Sequence, residues 1–249
     1  SLNIRILWDI KEIARRAREI NPDIYIVTDA VQHAPHAAMD VEDLGIDGMN
    51  FAPYKFFGIR GCGFAYVSDR VASMRHRKLT GKGPTEWSLG TPTPGNFAAM
   101  RAVISYVCSI GAHFMDSQDK RTLFVEGMNR IHMHEKALLH RLLEGSKTQP
   151  GLRSIPGVQV YVDTKDLAAK DLIVAMGIQG MDFTESVKEY QKRGVTVYER
   201  INSSIYSKRI VEALGLEGAI RVSPLHCHGK DDIDRFLKIT QEIAEQFAE

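Results

Sequence analysis

Ile24-Tyr25-Ile26-Val27-Thr28-Asp29-Ala30-Val31-Gln32 and, 26 residues after Asp29, Lys55 within Phe51-Ala52-Pro53-Tyr54-Lys55-Phe56-Phe57-Gly58 decide the fold of this 249-residue chain. The apolar run from Ile24 to Thr28 has the length of a strand and ends on an acid. It follows a predicted helix from Ile6 to Ile20 and a turn at Asn21-Pro22-Asp23. A second predicted strand, Gly48 to Ala52, ends just before Lys55. Parallel strands of an α/β sheet deliver their carboxyl-end residues to the ligand crevice, so the two strand ends offer opposite charges to one ligand. An acid and a lysine so placed suit a pyridoxal phosphate site, where the lysine forms a Schiff base and the acid meets the pyridinium nitrogen.

The chemistry demands these residue types. A carboxylate at Asp29 favours the protonated ring, which then accepts negative charge developing at the substrate α-carbon, and Gln32 is within reach of the phenolic oxygen. Desolvation and neighbouring positive charge lower a lysine pKa, which frees the amine near neutral pH. Lys55 is thereby both anchor and general base. Taken singly, an Asp after a strand is a turn former and a Lys before Phe-Phe-Gly a solvated loop residue. The combination carries the reading.

Longer stretches extend it. Asp29 to His36, Met39 to Asp47, Phe51 to Gly58, Gly61-Cys-Gly-Phe-Ala-Tyr-Val67, Leu89-Gly-Thr-Pro92, Ala219-Ile-Arg-Val-Ser-Pro224 and Asp231 to Phe236 together resemble the class V pyridoxal phosphate aminotransferases. That family includes cysteine desulfurases, selenocysteine lyases and isopenicillin N epimerase-like proteins. The resemblance implies an α/β fold, the C-terminal part of a fold type I transferase, with a parallel or mixed sheet layer and a smaller α+β domain. Carried over by position, it implies that Lys55 forms the internal aldimine, Asp29 pairs with the ring nitrogen and Gln32 contacts the phenolic oxygen. Thr91 would reach the phosphate of the neighbouring subunit's cofactor in a homodimer, and Arg221 would hold the α-carboxylate of an amino-acid substrate. A guanidinium fork suits that role because it matches a carboxylate bidentately.

Two departures bear on the phosphate. Where relatives commonly carry a serine three residues before the lysine, this chain has Ala52, which donates no hydrogen bond, and where many carry histidine it has Tyr54, whose phenol can donate. The family's N-terminal portion, with its phosphate loop and ring-stacking residue, has no counterpart before the Asp29 strand. The chain is therefore expected to be the C-terminal part of a longer or split protein, in the latter case partnered by a separate N-terminal chain, or to lack half of the usual site.

Composition sets the background. With 44% hydrophobic residues and a formal charge of +1, the chain can bury a sizeable core and has no bias toward nucleic acid or membranes. No apolar run is long enough to span a bilayer, and a secretory signal pattern is absent from the first residues, so a cytoplasmic setting is expected. Cys62, Cys108 and Cys227 lack zinc-site spacing, and His226-Cys227-His228, read as extended strand, would point to alternate faces. No metal is expected.

Residues 1–115 alternate helix and strand and are read as the second half of the large cofactor-binding domain, closing with a helix from Asn96 to Gly111. Residues 116–249 are read as a bridging helix, Lys120 to Leu143, and a small α+β domain. Its strands are expected near Val158 to Val162, Leu172 to Met176, Thr196 to Tyr198 and Ile220 to Ser223, and its helices at Asp182 to Arg193, Lys208 to Leu214 and Asp231 to Phe247.

The reaction is less legible than the cofactor. A desulfurase needs a thiolate on a mobile loop, which in related enzymes precedes the carboxylate-binding arginine; the corresponding stretch here, Arg193 to Ser207, contains no cysteine. Amino-group transfer is the first reading, with desulfurase-like or carbon–sulfur lyase chemistry behind it. The alternative from another class is a noncatalytic subunit or fragment of a split enzyme that uses an inherited dimer surface.

Overall fold

The computed structural model describes residues 9–247. Helix α1 (Ile10–Ile20) starts where the Asp9 side chain accepts the Glu12 amide at 2.9 Å, a cap that satisfies one orphan donor of the first turn. Residues 6–8 of the predicted helix lie outside the described residues. Strand β1 (Val27–Asp29) runs parallel to β2 (Gly48–Phe51), which pairs antiparallel with β3 (Phe64–Val67). The sheet is therefore mixed, in the order β1-β2-β3. β1 is shorter than its apolar run: the Ile26 carbonyl still accepts the Gly48 amide of β2 at 3.1 Å and the Asp47 amide at 2.8 Å, but the Ile26 amide donates to the Asp47 carboxylate at 3.0 Å.

After the short α2 (Asp69–Ala72), capped by the Ser68 hydroxyl, come α3 (Pro94–Ala112) and α4 (Lys120–Glu144). Val103 and Val107 of α3 and Met128 and Ile131 of α4 share a buried cluster with Phe56. The two helices approach backbone to backbone. A Cβ on Gly111 would stand 2.0 Å from the Leu123 carbonyl oxygen, and one on Gly127 2.1 Å from that of Val107.

The chain divides into two compact units within α4, between Ile131 and His132. In the second unit β4 (Val158–Tyr161), β5 (Val174–Ile178), β6 (Tyr198–Ile201) and β7 (Gly218–Val222) form an antiparallel sheet in the order β4-β5-β7-β6. Helices α5 (Phe183–Lys192), α6 (Lys208–Ala213) and α7 (Lys230–Gln246) accompany it. α5 is capped by Asp182, which accepts from Thr184 and Glu185. Leu138, Leu139, Leu142 and Leu143 of α4 pack with Val174 and Met176 of β5, Ile220 of β7, and Leu237 and Ile243 of α7. This is the α+β arrangement expected of the C-terminal part, although β5 starts two residues later than Leu172 because Ile173 closes a turn onto the Asp171 carbonyl at 2.7 Å.

His226-Cys227-His228 is a turn, not the extended strand expected. The Leu225 amide donates to His228 Nδ1 at 3.0 Å and the His228 amide returns to the Leu225 carbonyl at 2.9 Å. Among the described residues no helix is long and apolar enough to cross a membrane.

Candidate functional site

The parallel pairing of β1 and β2 sets Asp29 directly opposite Asn50, five residues before Lys55. Asp29 Oδ1 accepts the Val31 amide at 3.0 Å and the Asn50 side-chain amide at 3.2 Å, while the Ala30 amide donates to the Asn50 carbonyl at 2.9 Å. Both contacts to the carboxylate fall on Oδ1, which fixes its orientation and leaves Oδ2 to face a partner. Gln32 is buried in the turn that follows. Asn50 was not singled out in the sequence, where an Asn before Phe51 carries no signal until the strand register is known.

Lys55 ends a single 3-10 turn, Pro53–Lys55, immediately after β2. Proline presets the backbone of the turn, and the Gly58 amide closes it onto the Pro53 carbonyl at 2.8 Å. Gly58 is required for that approach, since a Cβ there would lie 2.9 Å from the same oxygen, and Phe57 adopts φ 57°, a conformation uncommon for a bulky residue. Phe56 is buried with its ring centroid 6.2 Å from those of both Phe51 and Phe124. Phe-Phe-Gly thus anchors the turn, and Lys55 is presented by a tight frame. Beside it the exposed Tyr54 ring has Lys55 Nζ 5.8 Å and the Arg60 guanidinium 4.9 Å from its centroid. Arg60 is a second cation that the sequence pattern does not mark, since it is exposed in a loop eight residues after Ala52.

Thr91 belongs to the same unit but to an exposed segment, two residues before Thr93, the N-cap of α3. Arg221 belongs to the second unit, on β7, flanked by Ala175 of β5 and Tyr198 of β6. Its Nε is buried with no hydrogen-bond partner. Burial, and then the neighbouring Arg200, push its pKa down from the ordinary arginine value. A half-buried cation with an unmet, buried donor suits an anion. Beside it on β6, a groove of about 410 Å³ is lined by residues including Tyr198, Arg200, Ser204, Tyr206 and Ser207.

In the first unit the residues present fit pyridoxal phosphate, with a held carboxylate for a ring nitrogen and a lysine for covalent attachment; in the second, the half-buried Arg221 guanidinium has an unmet donor that suits a carboxylate. Ala52 brings no hydroxyl to the phosphate.

Residues 6–236 match the family model described as aminotransferase class-V. A probable cysteine desulfurase of Pseudomonas putida is 24% identical over 226 residues, covering 85% of this chain and 49% of the relative. One from Synechocystis is 21% identical over 254 residues, covering 96% and 54%. The solved cysteine desulfurase of Thermococcus onnurineus NA1 superposes with a TM-score of 0.73 at 19% identity, covering 95% of this chain and 56% of that one. The chain therefore has the fold type I architecture of its C-terminal portion and spans about half the length of the curated relatives it matches.

Proposed function

The chain belongs to the class-V aminotransferase family, and from that premise we propose that it is the lysine-bearing and carboxylate-binding portion of a pyridoxal phosphate-dependent enzyme acting on an amino acid, with amino-group transfer as its reaction. The observation that carries the reading is the β1–β2 register, which holds the Asp29 carboxylate against Asn50 beside the Pro53–Lys55 turn. When bound, pyridoxal phosphate supplies a protonated ring that takes up negative charge from the substrate α-carbon. Asp29 Oδ2 keeps a proton on the ring nitrogen by accepting from it. Gln32 orients the ring through its phenolic oxygen. Lys55 Nζ binds the cofactor at rest and, once displaced, moves a proton to and from the α-carbon. Arg221 fixes the substrate by its α-carboxylate, so that a chosen α-bond stands across the ring.

The working unit in this reading is a homodimer in which Thr91, exposed in its own subunit, donates to the opposite subunit's phosphate. The missing donor at Ala52 gives such a hydroxyl more to do.

A second reading, carbon–sulfur bond cleavage, is favoured by the relatives named as probable cysteine desulfurases. The persulfide route lacks its thiol between Arg193 and Ser207. Cys227 is an exposed thiol with Sγ 3.7 Å from His228 Nδ1, and it lies on the other side of Arg221 in sequence. Formation of pyruvate, ammonia and sulfide from L-cysteine, or of alanine and sulfide when a thiol reductant is supplied, would favour this second reading over amino-group transfer.

The direct test is borohydride reduction of the purified protein with pyridoxal phosphate, followed by peptide mapping. A label on the Lys55 peptide, absent in Lys55→Ala together with turnover, is expected. A label on another lysine overturns the assignment.

A further inference from the structure

We propose that Arg200 and Arg221 form a two-anion site on one face of the β6–β7 pair, so that the amino acid bound there carries a second carboxylate on its side chain. The placement follows from register. Tyr198 pairs with Arg221 and Arg200 with Ala219, so Arg200, two residues beyond Tyr198, projects from the same face as Arg221 and is its diagonal neighbour. Long side chains reach one another across such a diagonal.

The pair is unusual for what surrounds it. Among the described residues no acid forms an ion pair with either guanidinium. Arg200 spends one donor, Nη1, on the Glu199 carbonyl at 2.8 Å, and Arg221 buries its Nε with no partner. The Glu199 side chain, one residue along the strand, projects to the opposite face. Two like charges, one of them largely removed from water, repel each other unless anions lie between or beside them. One carboxylate accounts for Arg221. Arg200 lines the groove of about 410 Å³ together with the hydroxyl-bearing Tyr198, Ser204 and Tyr206 and with Glu199 and Ile201. Ser207 is already committed, its hydroxyl donating to the Ile201 carbonyl at 2.9 Å. A guanidinium that forms no ion pair, with hydroxyls in the same groove, suits a carboxylate rather than an apolar side chain.

That Arg221 takes the α-carboxylate rests on the function proposed above; the two-anion site itself rests on β6 and β7. Calorimetric titration of the 249-residue chain with two isosteric pairs, L-glutamate against L-glutamine and L-aspartate against L-asparagine, separates the two claims because it needs no turnover. The acidic member of at least one pair should bind about tenfold more tightly, as one charge-assisted hydrogen bond predicts. Arg200→Gln should bring the members of that pair within about twofold while leaving the affinity for the amide unchanged, and Arg200→Lys should restore part of the preference. Arg221→Gln should weaken both members. Equal binding within both pairs, no binding, or a preference that survives Arg200→Gln overturns the proposal. If the preference holds but no cofactor label forms at Lys55, the function proposed above falls and the two-anion site stands; a label at Lys55 with no preference gives the reverse.

Discussion

Replacing Asp47 by asparagine tests how the site is held in place. Asp47 immediately precedes β2, and its side chain is 3% exposed. Four donors converge on it: Arg18 Nη2 at 2.8 Å and the Ile26 amide at 3.0 Å on Oδ2, and the Ser68 hydroxyl at 3.2 Å and Arg70 Nη1 at 3.5 Å on Oδ1. The carboxylate thus ties α1, the start of β1, β2 and the α2 cap together, and both strands whose ends carry Asp29 and Lys55 depend on it. Asparagine keeps one accepting oxygen and turns an N–H group toward donors. Breaking a buried charge pair costs about 3–5 kcal/mol, and the partial exposure of Arg18 and Arg70 argues for the lower end, about 3 kcal/mol. For a unit of this size that corresponds to a melting point lower by about 10 °C, read by far-UV circular dichroism.

The pH dependence gives a second check on the same carboxyl. Burial pushes its pKa up, but the Ile26 amide, the Ser68 hydroxyl and the guanidinium groups of Arg70 and Arg18 outweigh it, leaving it below the ordinary 3.8. A carboxyl lowered on folding contributes its full stability above the unfolded value and loses it as pH falls through the folded one. The wild-type protein should lose this contribution below about pH 4, and Asp47→Asn should be flatter there. Melting within about 2 °C of wild type, with the acid limb unchanged, would refute the reasoning.

Asp29→Asn should preserve the fold, since its side-chain oxygen still accepts the Val31 amide, but lower turnover more than substrate affinity; unchanged turnover with cofactor bound would exclude the ring-nitrogen role. Asn50→Leu removes the 3.2 Å donor that orients Asp29 and should raise the cofactor Kd about fivefold, for about 1 kcal/mol, measured by equilibrium dialysis. Gly127→Ala puts a methyl 2.1 Å from the Val107 carbonyl and should cost about 3 kcal/mol in urea unfolding; an unshifted midpoint would show that α3 and α4 do not touch there. Thr91→Ala should weaken cofactor binding about tenfold, for about 1.5 kcal/mol. Verified heterodimers of Thr91→Ala and Lys55→Ala subunits should contain one intact site, and finding none would sink the cross-subunit role.

The sequence by itself determined what depends on short-range geometry. Asp29 at the end of an apolar run, Pro53 ahead of Lys55 and Gly58 behind it specify the strand end and the tight turn because proline and glycine act on their own backbone. The helices were legible for a related reason: α5 begins at its Asp182 cap, and α4 buries Met128, Ile131, Leu138 and Leu142 at helical spacing. Edges of strands were less so, because a strand stops where its partner does; the Ile26 amide is taken by the Asp47 carboxylate, and β3 exists through its pairing with β2. Only the tertiary structure decided which residues meet across the sheets. Asn50 holds Asp29, Asp47 gathers four donors and Arg200 stands diagonal to Arg221, each by strand register or packing between residues separated by about twenty positions in the chain. Hydrophobic patterning fixes which face a side chain takes, but the residue opposite it is set by the pairing of two segments, information that neither segment carries alone.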